Sequence, residues 1–357
     1  DETDTVKWLI RWHLLISKIA FRYDLNDPKT IQNFVADVQS LERLKLLLVL
    51  TVADIRAVGP NIWNGWKASL MRVLYYESER VLGGLAPSHE ESVLSEQSKK
   101  RAKILIQKNL TWDDKKFEKY QELFYPSYWL TFDVQTHLFH SNLVEKFYQD
   151  TNPLQLNLTE KEDSKSTLLT IITQDHPGLF SRIAGAVTMA GCQVVYARIN
   201  TRKDGTILDE FMIQTLEKSS VKEPETLFRI KKMIDDTLAG KIILSEQLGK
   251  KTKTISKRQK AMLTVPRVTI TNQMSNTHTV LEISGPDRPQ LLYDLTRKIA
   301  QLGLQINSAS VSTYGDRAVD VFYVKDIFGM KIKTDMMIEK IRTSLLQVLK
   351  QSEKDQL

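Results

Sequence analysis

The sequence predicts an all-α N-terminal part followed by two α+β sandwiches of one design. Three observations carry this. Residues 1–150 are Leu-rich, have few Gly or Pro breaks and hold all six Trp. Beyond them, apolar residues recur at period two and then at steps of three or four, the signatures of strand and helix. Finally, the chain repeats itself. "LLTIITQDHPGLFSRIAGAVTMAGCQVVYARINT" (168–201) lies over "VLEISGPDRPQLLYDLTRKIAQLGLQINSASVST" (280–313), matching Asp175 with Asp287, Pro177 with Pro289, Leu179 with Leu291, Gly191 with Gly303 and Gln193 with Gln305. One residue of slack then sets "DEFMI" (209–213) on "DVFYV" (320–324).

Each copy reads as βαββα with room for a last short strand. "TLLTII" and "TVLEIS" are first strands. Leu179, Ile183, Val187 and Ala190, and their counterparts Leu291, Leu295, Ile299 and Leu302, make helical stripes. Gly191 and Gly303 fall just past those stripes, where a helix end favours a left-handed residue. "QVVYARINT" and "QINSASVST" are second strands; "RKDG" and "YGDR" turn the chain into a third. "ETLFRIKKMIDDTLAGK" and "TDMMIEKIRTSLLQVLK" close the copies as helices. The expected product is a small antiparallel sheet with helices on one face. The polar, turn-rich "TNPLQLNLTEKEDSKS" (151–166) reads as a linker.

The 357 residues suffice for two or three domains. No run approaches the roughly 20 apolar residues of a membrane span; "LKLLLVL" (44–50) reads as a buried helix. A single cysteine, Cys192, excludes an internal disulfide framework and fits a reducing compartment. The acidic opening "DETDTVKWLI" is no signal peptide and reads as the middle of a longer chain. Net charge is +7, with six positives and no acid in "GKKTKTISKRQK" (249–260). That run reads as a solvated linker, with nucleic-acid binding the lesser alternative.

In the repeated phrase, Pro177 and Pro289 preset φ for a first helical turn, and the preceding Asp can cap free N–H groups. Such a helix start favours an anionic group, so a small amino acid could dock by its carboxylate; a plain helix start is the alternative. Other candidates are weaker. His13 is a lone His among apolar neighbours, which favours a structural role. Asp54 sits in an apolar helix, where burying an unpaired acid costs several kcal/mol. His137 and His140 share an i,i+3 face but lack a third ligand. "HEES" (89–92) is not a zinc signature. Cys192 reads as packing, and Trp63 and Trp66 as core anchors.

The two copies, "DHPGLF" with its helix and "DRPQLLYDL" with "AVDVFYV", resemble ACT domains, βαββαβ modules that often bind amino acids at paired interfaces. The family usually has Gly where the second copy has Gln290, which weakens the case for a ligand there; the first copy keeps Gly178. Adding "WHLLIS" (12–17), "DLNDPKTI" (24–31), "LTVADIRAVGPNIWNGWKASL" (50–70) and "YPSYWLTF" (125–132), the whole chain resembles the bifunctional PII uridylyltransferase/uridylyl-removing enzymes.

That resemblance implies a nucleotidyltransferase, an HD phosphohydrolase and two ACT domains. The chain has no Gly-Ser, Asp-x-Asp or His-Asp, so it should hold neither the transferase turn nor the HD pair, and by itself should catalyse neither reaction. Asp54 matches the late metal-binding Asp of the HD motif and His13 a further His. Implied domains are an HD remnant (1–82), a helical connector and linker (83–163), ACT domain 1 (164–245), a basic linker (246–274) and ACT domain 2 (275–352). Asp175, His176, Pro177, Gly178 and Leu179 would bind glutamine; Asp287, Arg288, Pro289 and Gln290 form a weaker second turn. Implied partners are PII, glutamine and UTP/UMP with Mg2+ or another divalent ion, in a bacterial cytoplasm, with neither DNA nor membrane. The competing expectation is a stand-alone amino-acid-binding ACT regulator with a non-catalytic helical docking module.

Overall fold

Side-chain caps start four of the eight described helices of the N-terminal part. The computed structural model describes residues 2–25, 27–59, 63, 65–84, 93–125, 128–129, 132–249, 265–314 and 317–354. Helices α1 (Glu2–Trp12), α2 (Leu15–Arg22), α3 (Pro28–Val38), α4 (Leu41–Val58), α5 (Gly65–Leu82), α6 (Val93–Leu110), α7 (Asp114–Glu122) and α8 (Val134–Gln149) follow in order. Asp27 accepts from the Lys29 N–H at 2.9 Å with Pro28 opening α3. Ser40, Asp113 and Asp133 cap α4, α7 and α8 in the same way. Helix α5 packs on α2, α3 and α4, and α6 on α8. "LKLLLVL" is only half buried: Leu44 and Leu47 are in the core, whereas Val49 is 69% exposed.

Two compact units result, Asp1–Gln155 with Arg202–Thr206, and Leu156–Thr201 with Ile207–Leu357. The second unit contains both α+β copies, as expected. The first has β1 (Leu154–Lys161), β2 (Ser166–Gln174), α9 (Leu179–Met189), β3 (Cys192–Arg198), β4 (Thr206–Thr215), α10 (Pro224–Leu238) and α11 (Leu244–Gly249). The second has β5 (Arg267–Thr271), β6 (Thr279–Pro286), α12 (Leu291–Gln301), β7 (Gln305–Ser310), β8 (Thr313–Tyr314), β9 (Arg317–Lys325) and α13 (Asp335–Lys354). The sheets run β1-β2-β4-β3 and β5-β6-β9-β7, with β8 paired to β9.

One edge strand of each sheet, β1 or β5, precedes the repeat. Residues 151–166, read as a linker, contain β1. The turn chemistry there ends at Leu154, whose N–H donates to Asn152 Oδ1 at 3.1 Å. Leu154, Leu156 and Leu158 then alternate with polar residues, the period of a half-buried strand. Likewise β5 lies inside the segment read as basic linker. Its charged run, 250–260, is outside the described residues, as is "HEES".

The apolar stripes behave as the spacing demands. Leu179, Ile183 and Val187, and Leu291, Leu295 and Ile299, are all buried. Gly191 and Gly303 follow their helices at φ 80° and 74°. Within this unit α9 packs on α10 and α12, α12 on α13, and β3 lies beside β7. The α9–α12 approach depends on Gly185, where a Cβ would come within 2.6 Å of Leu244 Cδ1 and 2.8 Å of Tyr293 Cδ2.

Candidate functional site

The repeated phrase makes a turn before it makes a helix. The Leu179 N–H donates to the His176 carbonyl at 3.1 Å, with Pro177 and Gly178 between them. Gly178 has φ 80° and ψ 5°, the third position of a type II turn. The second copy does the same: Leu291 N–H donates to Arg288 O at 3.1 Å, and Gln290 takes φ 69° and ψ −1°. The expected cap is therefore not made. Pro177 and Pro289 lie before the helices rather than at their first position, and neither helix has a side-chain cap. Proline sets φ for the turn, and the third position, not the Asp, becomes the helix boundary.

The first turn opens into a cavity of about 190 Å³, far above the roughly 10–15 Å³ that holds one water. Its walls are the Asp175–Ser181 turn, Ile199, Ile207 and Asp209 from the first copy, and Thr296, Ala300 and Leu304–Asn307 from the second. Asp175 stands at the solvent-accessible rim, its carboxyl raised chiefly by the desolvating wall beside it. Asp209 is 2% exposed and accepts the Asn200 N–H at 2.9 Å. Desolvation pushes its carboxyl well up, and Asp175 and Glu210 add to this. Asn307 presents a buried Oδ1 with no hydrogen-bond partner among the described residues. The first turn of α9 adds backbone N–H groups. One cavity thus gathers acceptors for an ammonium group, donors for a carboxylate and an unused amide oxygen.

Asp209 and Asn307 escaped the sequence reading. For Asp209 the signal was present: it falls on Asp320, and both are 2% exposed. Nothing in the sequence marks Asn307, which comes from the other copy.

The second turn is filled. Arg288, 4% exposed, pairs with Asp294 at 2.7 Å and donates to Pro289 O at 3.2 Å and Val348 O at 3.3 Å. Gln290 is 8% exposed. Tyr293, standing where the first copy has Ser181, packs with Leu244 and Leu248 of α11.

The helical unit places the remaining candidates. His13 is exposed, its Nδ1–H donating to Ile10 O at 2.8 Å. Asp54 is also exposed, so the buried-acid argument for it does not apply. The two positions are adjacent: Thr51, one turn before Asp54, donates to His13 O at 3.2 Å. Two donors do not make a divalent-ion site, and among the described residues no cluster of three or more His, Cys, Asp or Glu is placed to hold one. His137 and His140 are fully buried. His140 Nδ1 lies 3.0 Å from Tyr128 Oη, which lies 3.0 Å from Tyr120 Oη. Burial, with His140 nearby, lowers His137 to about 3 and keeps it neutral. Cys192 is buried and its thiol pushed up by desolvation, as packing requires. Trp63 is half-buried; the Trp66 side chain is outside the described residues.

A family model described as an ACR9-like, ACT-like domain matches residues 267–353. Bifunctional uridylyltransferase/uridylyl-removing enzymes match nearly the whole chain: 45% identical in Azospirillum brasilense over 98% of this chain, 42% in Rhodospirillum rubrum over 99%, and 41% in Gluconobacter oxydans over 98%. The chain matches the C-terminal region of these enzymes. It spans 37% of the length of each. Its two α+β copies are tandem ACT-like domains, as their turns and order led one to expect. No described helix is long and apolar enough to cross a membrane.

Proposed function

We propose that the ACT-like pair is the glutamine sensor of an enzyme that attaches UMP to the PII signalling protein and removes it. The observation that carries this is the cavity at the first turn. The α9 N–H groups take the ligand carboxylate, the Asp175 carboxylate at the rim takes its ammonium, and Asn307 Oδ1 accepts from the side-chain amide. A glutamate side chain supplies no such donor when ionised, so the site discriminates by the amide. The second turn, filled by Arg288 and Tyr293, takes no ligand. In the complete enzyme UTP would be the donor, a divalent ion would serve the chemistry, and Asp54 and His13 would belong to the removing site, where these two donors by themselves do not assemble an ion site.

Titration calorimetry of the chain with glutamine, glutamate and serine tests this. Glutamine alone should bind, and binding should be lost in Asp175→Ala and Gly178→Val but kept in Gln290→Ala. Equal binding of all three amino acids, or none to a folded chain, overturns the reading.

A further inference from the structure

Two buried acids occupy matching places in the two copies, and one of them lines the cavity. Asp209 falls on Asp320, and both are 2% exposed. Asp209 shares the cavity wall with Asp175, Gly178 and Asn307. Its Oδ1 accepts the Asn200 N–H at 2.9 Å, its single hydrogen bond among the described residues. An ionised carboxylate offers about four acceptor sites, and a charge taken out of water needs a partner of opposite sign.

The first copy supplies no such partner among the described residues. The charged groups that act on Asp209 are Asp175, from the turn before α9, and Glu210, its own neighbour on β4. Both are acids. The wall contributed by the second copy, Thr296, Ala300 and Leu304–Asn307, has no ionisable side chain. In the first copy's wall His176 alone is basic, and it acts on Asp175 at the rim. The second copy differs: Lys218 and Arg288 both act on Asp287, the counterpart of Asp175. A buried acid with acid neighbours and no cation keeps its proton, the direction in which desolvation drives Asp209.

We propose that the first cavity takes its amino acid in exchange for a proton held by Asp209. The ligand's ammonium is the missing cation. Asp175 gives it a first contact at the rim, and its arrival lets Asp209 ionise and give it a second, deeper one. The Asp209 O–H bond breaks, the electron pair stays on the carboxylate, and the proton leaves to solvent past the exposed rim. Asp320 lies outside this cavity and takes no part. The exchange rests on the sensor reading above. It also has a sign. Ionised Asp209 belongs to the bound state, so affinity should rise about tenfold per pH unit while the empty site is protonated, and level off once it is not.

Titration calorimetry in buffers of unlike ionisation heat, phosphate and imidazole, counts the protons that glutamine displaces. At about pH 7 the chain should release about one proton per glutamine bound. Asp209→Asn keeps the shape of the protonated acid and an acceptor for the Asn200 N–H. In that variant glutamine should bind more weakly, with no proton release and no pH slope in affinity. Asp320→Asn should release as the unchanged chain does. Equal heats in both buffers with glutamine bound, or release that survives Asp209→Asn, overturn the exchange and leave the sensor reading standing. Absence of glutamine binding to the folded chain sinks both. The buffer comparison needs no variant, so an Asp209→Asn chain that fails to fold leaves the test in force.

Discussion

The first and second Asp-x-Pro turns share a backbone and part at the side chains. Both are type II turns closed by a 3.1 Å hydrogen bond, with third-position φ of 80° and 69°. In the first, the second-position neighbour His176 is partly exposed, the third position is glycine and a cavity lies behind. In the second, Arg288 is sunk into the fold, the third position is glutamine and the space is taken by aromatic and apolar packing. One local geometry therefore borders an open cavity in one copy and a packed joint in the other. The lesson is that a repeated motif conveys backbone, while the residues around it decide whether there is room for chemistry.

The largest test of this contrast is removal of the plug. Arg288→Ala takes away one half of a mostly buried ion pair and two donations to carbonyls, and should cost about 3 kcal/mol, at the lower end for such breaks because Asp294 keeps some contact with water. His176→Ala, at the matching position, should change stability by less than about 0.5 kcal/mol. Denaturant unfolding of both variants gives the comparison; equal costs would erase it.

Next in size is the pH dependence of the paired buried acids. Desolvation pushes Asp320 up to about 8 from an ordinary 3.8. The folded chain then keeps a proton that the unfolded chain has released. Stability should fall as pH rises from about 4 to about 8 and level off above. Asp320→Asn should flatten that slope. Asp209→Asn, whose acid is raised for the same reason, should flatten it too. Melts across this range check both; a slope unchanged in either variant removes that acid from the account.

The smallest effect concerns the third turn position. Gly178→Ala should cost about 1 kcal/mol, since a Cβ is strained at φ 80°. Gln290→Gly relieves the same strain and should gain up to about 1 kcal/mol, measured by thermal unfolding. Destabilisation by Gln290→Gly would show that its buried side chain outweighs its backbone strain.

Much of the fold was legible because local spacing suffices for it. The helical stripes, the glycines after them and the repeated order all rest on contacts within a few residues. The edge strands β1 and β5 were missed because polar turn residues surround them, although Leu154, Leu156 and Leu158 already alternate. At the site, Asp175–Leu179 could be found because the phrase repeats. Asn307 could not, for it reaches the cavity only when two modules pack, and no local pattern encodes that. Asp54 shows the converse: an acid among apolar letters suggested burial, but its helix turns it outward.

The order of strands bears on how the chain comes off the ribosome. Each module begins with the edge strand of its own sheet, β1 or β5, and its first pairing partner follows within a few residues. A closing strand at the far end would have left the outer edge of the inner strand, β2 or β6, unpaired until the whole module had been made. Starting from the edge lets synthesis and pairing advance together, so each new strand emerges beside one already in place or soon to be.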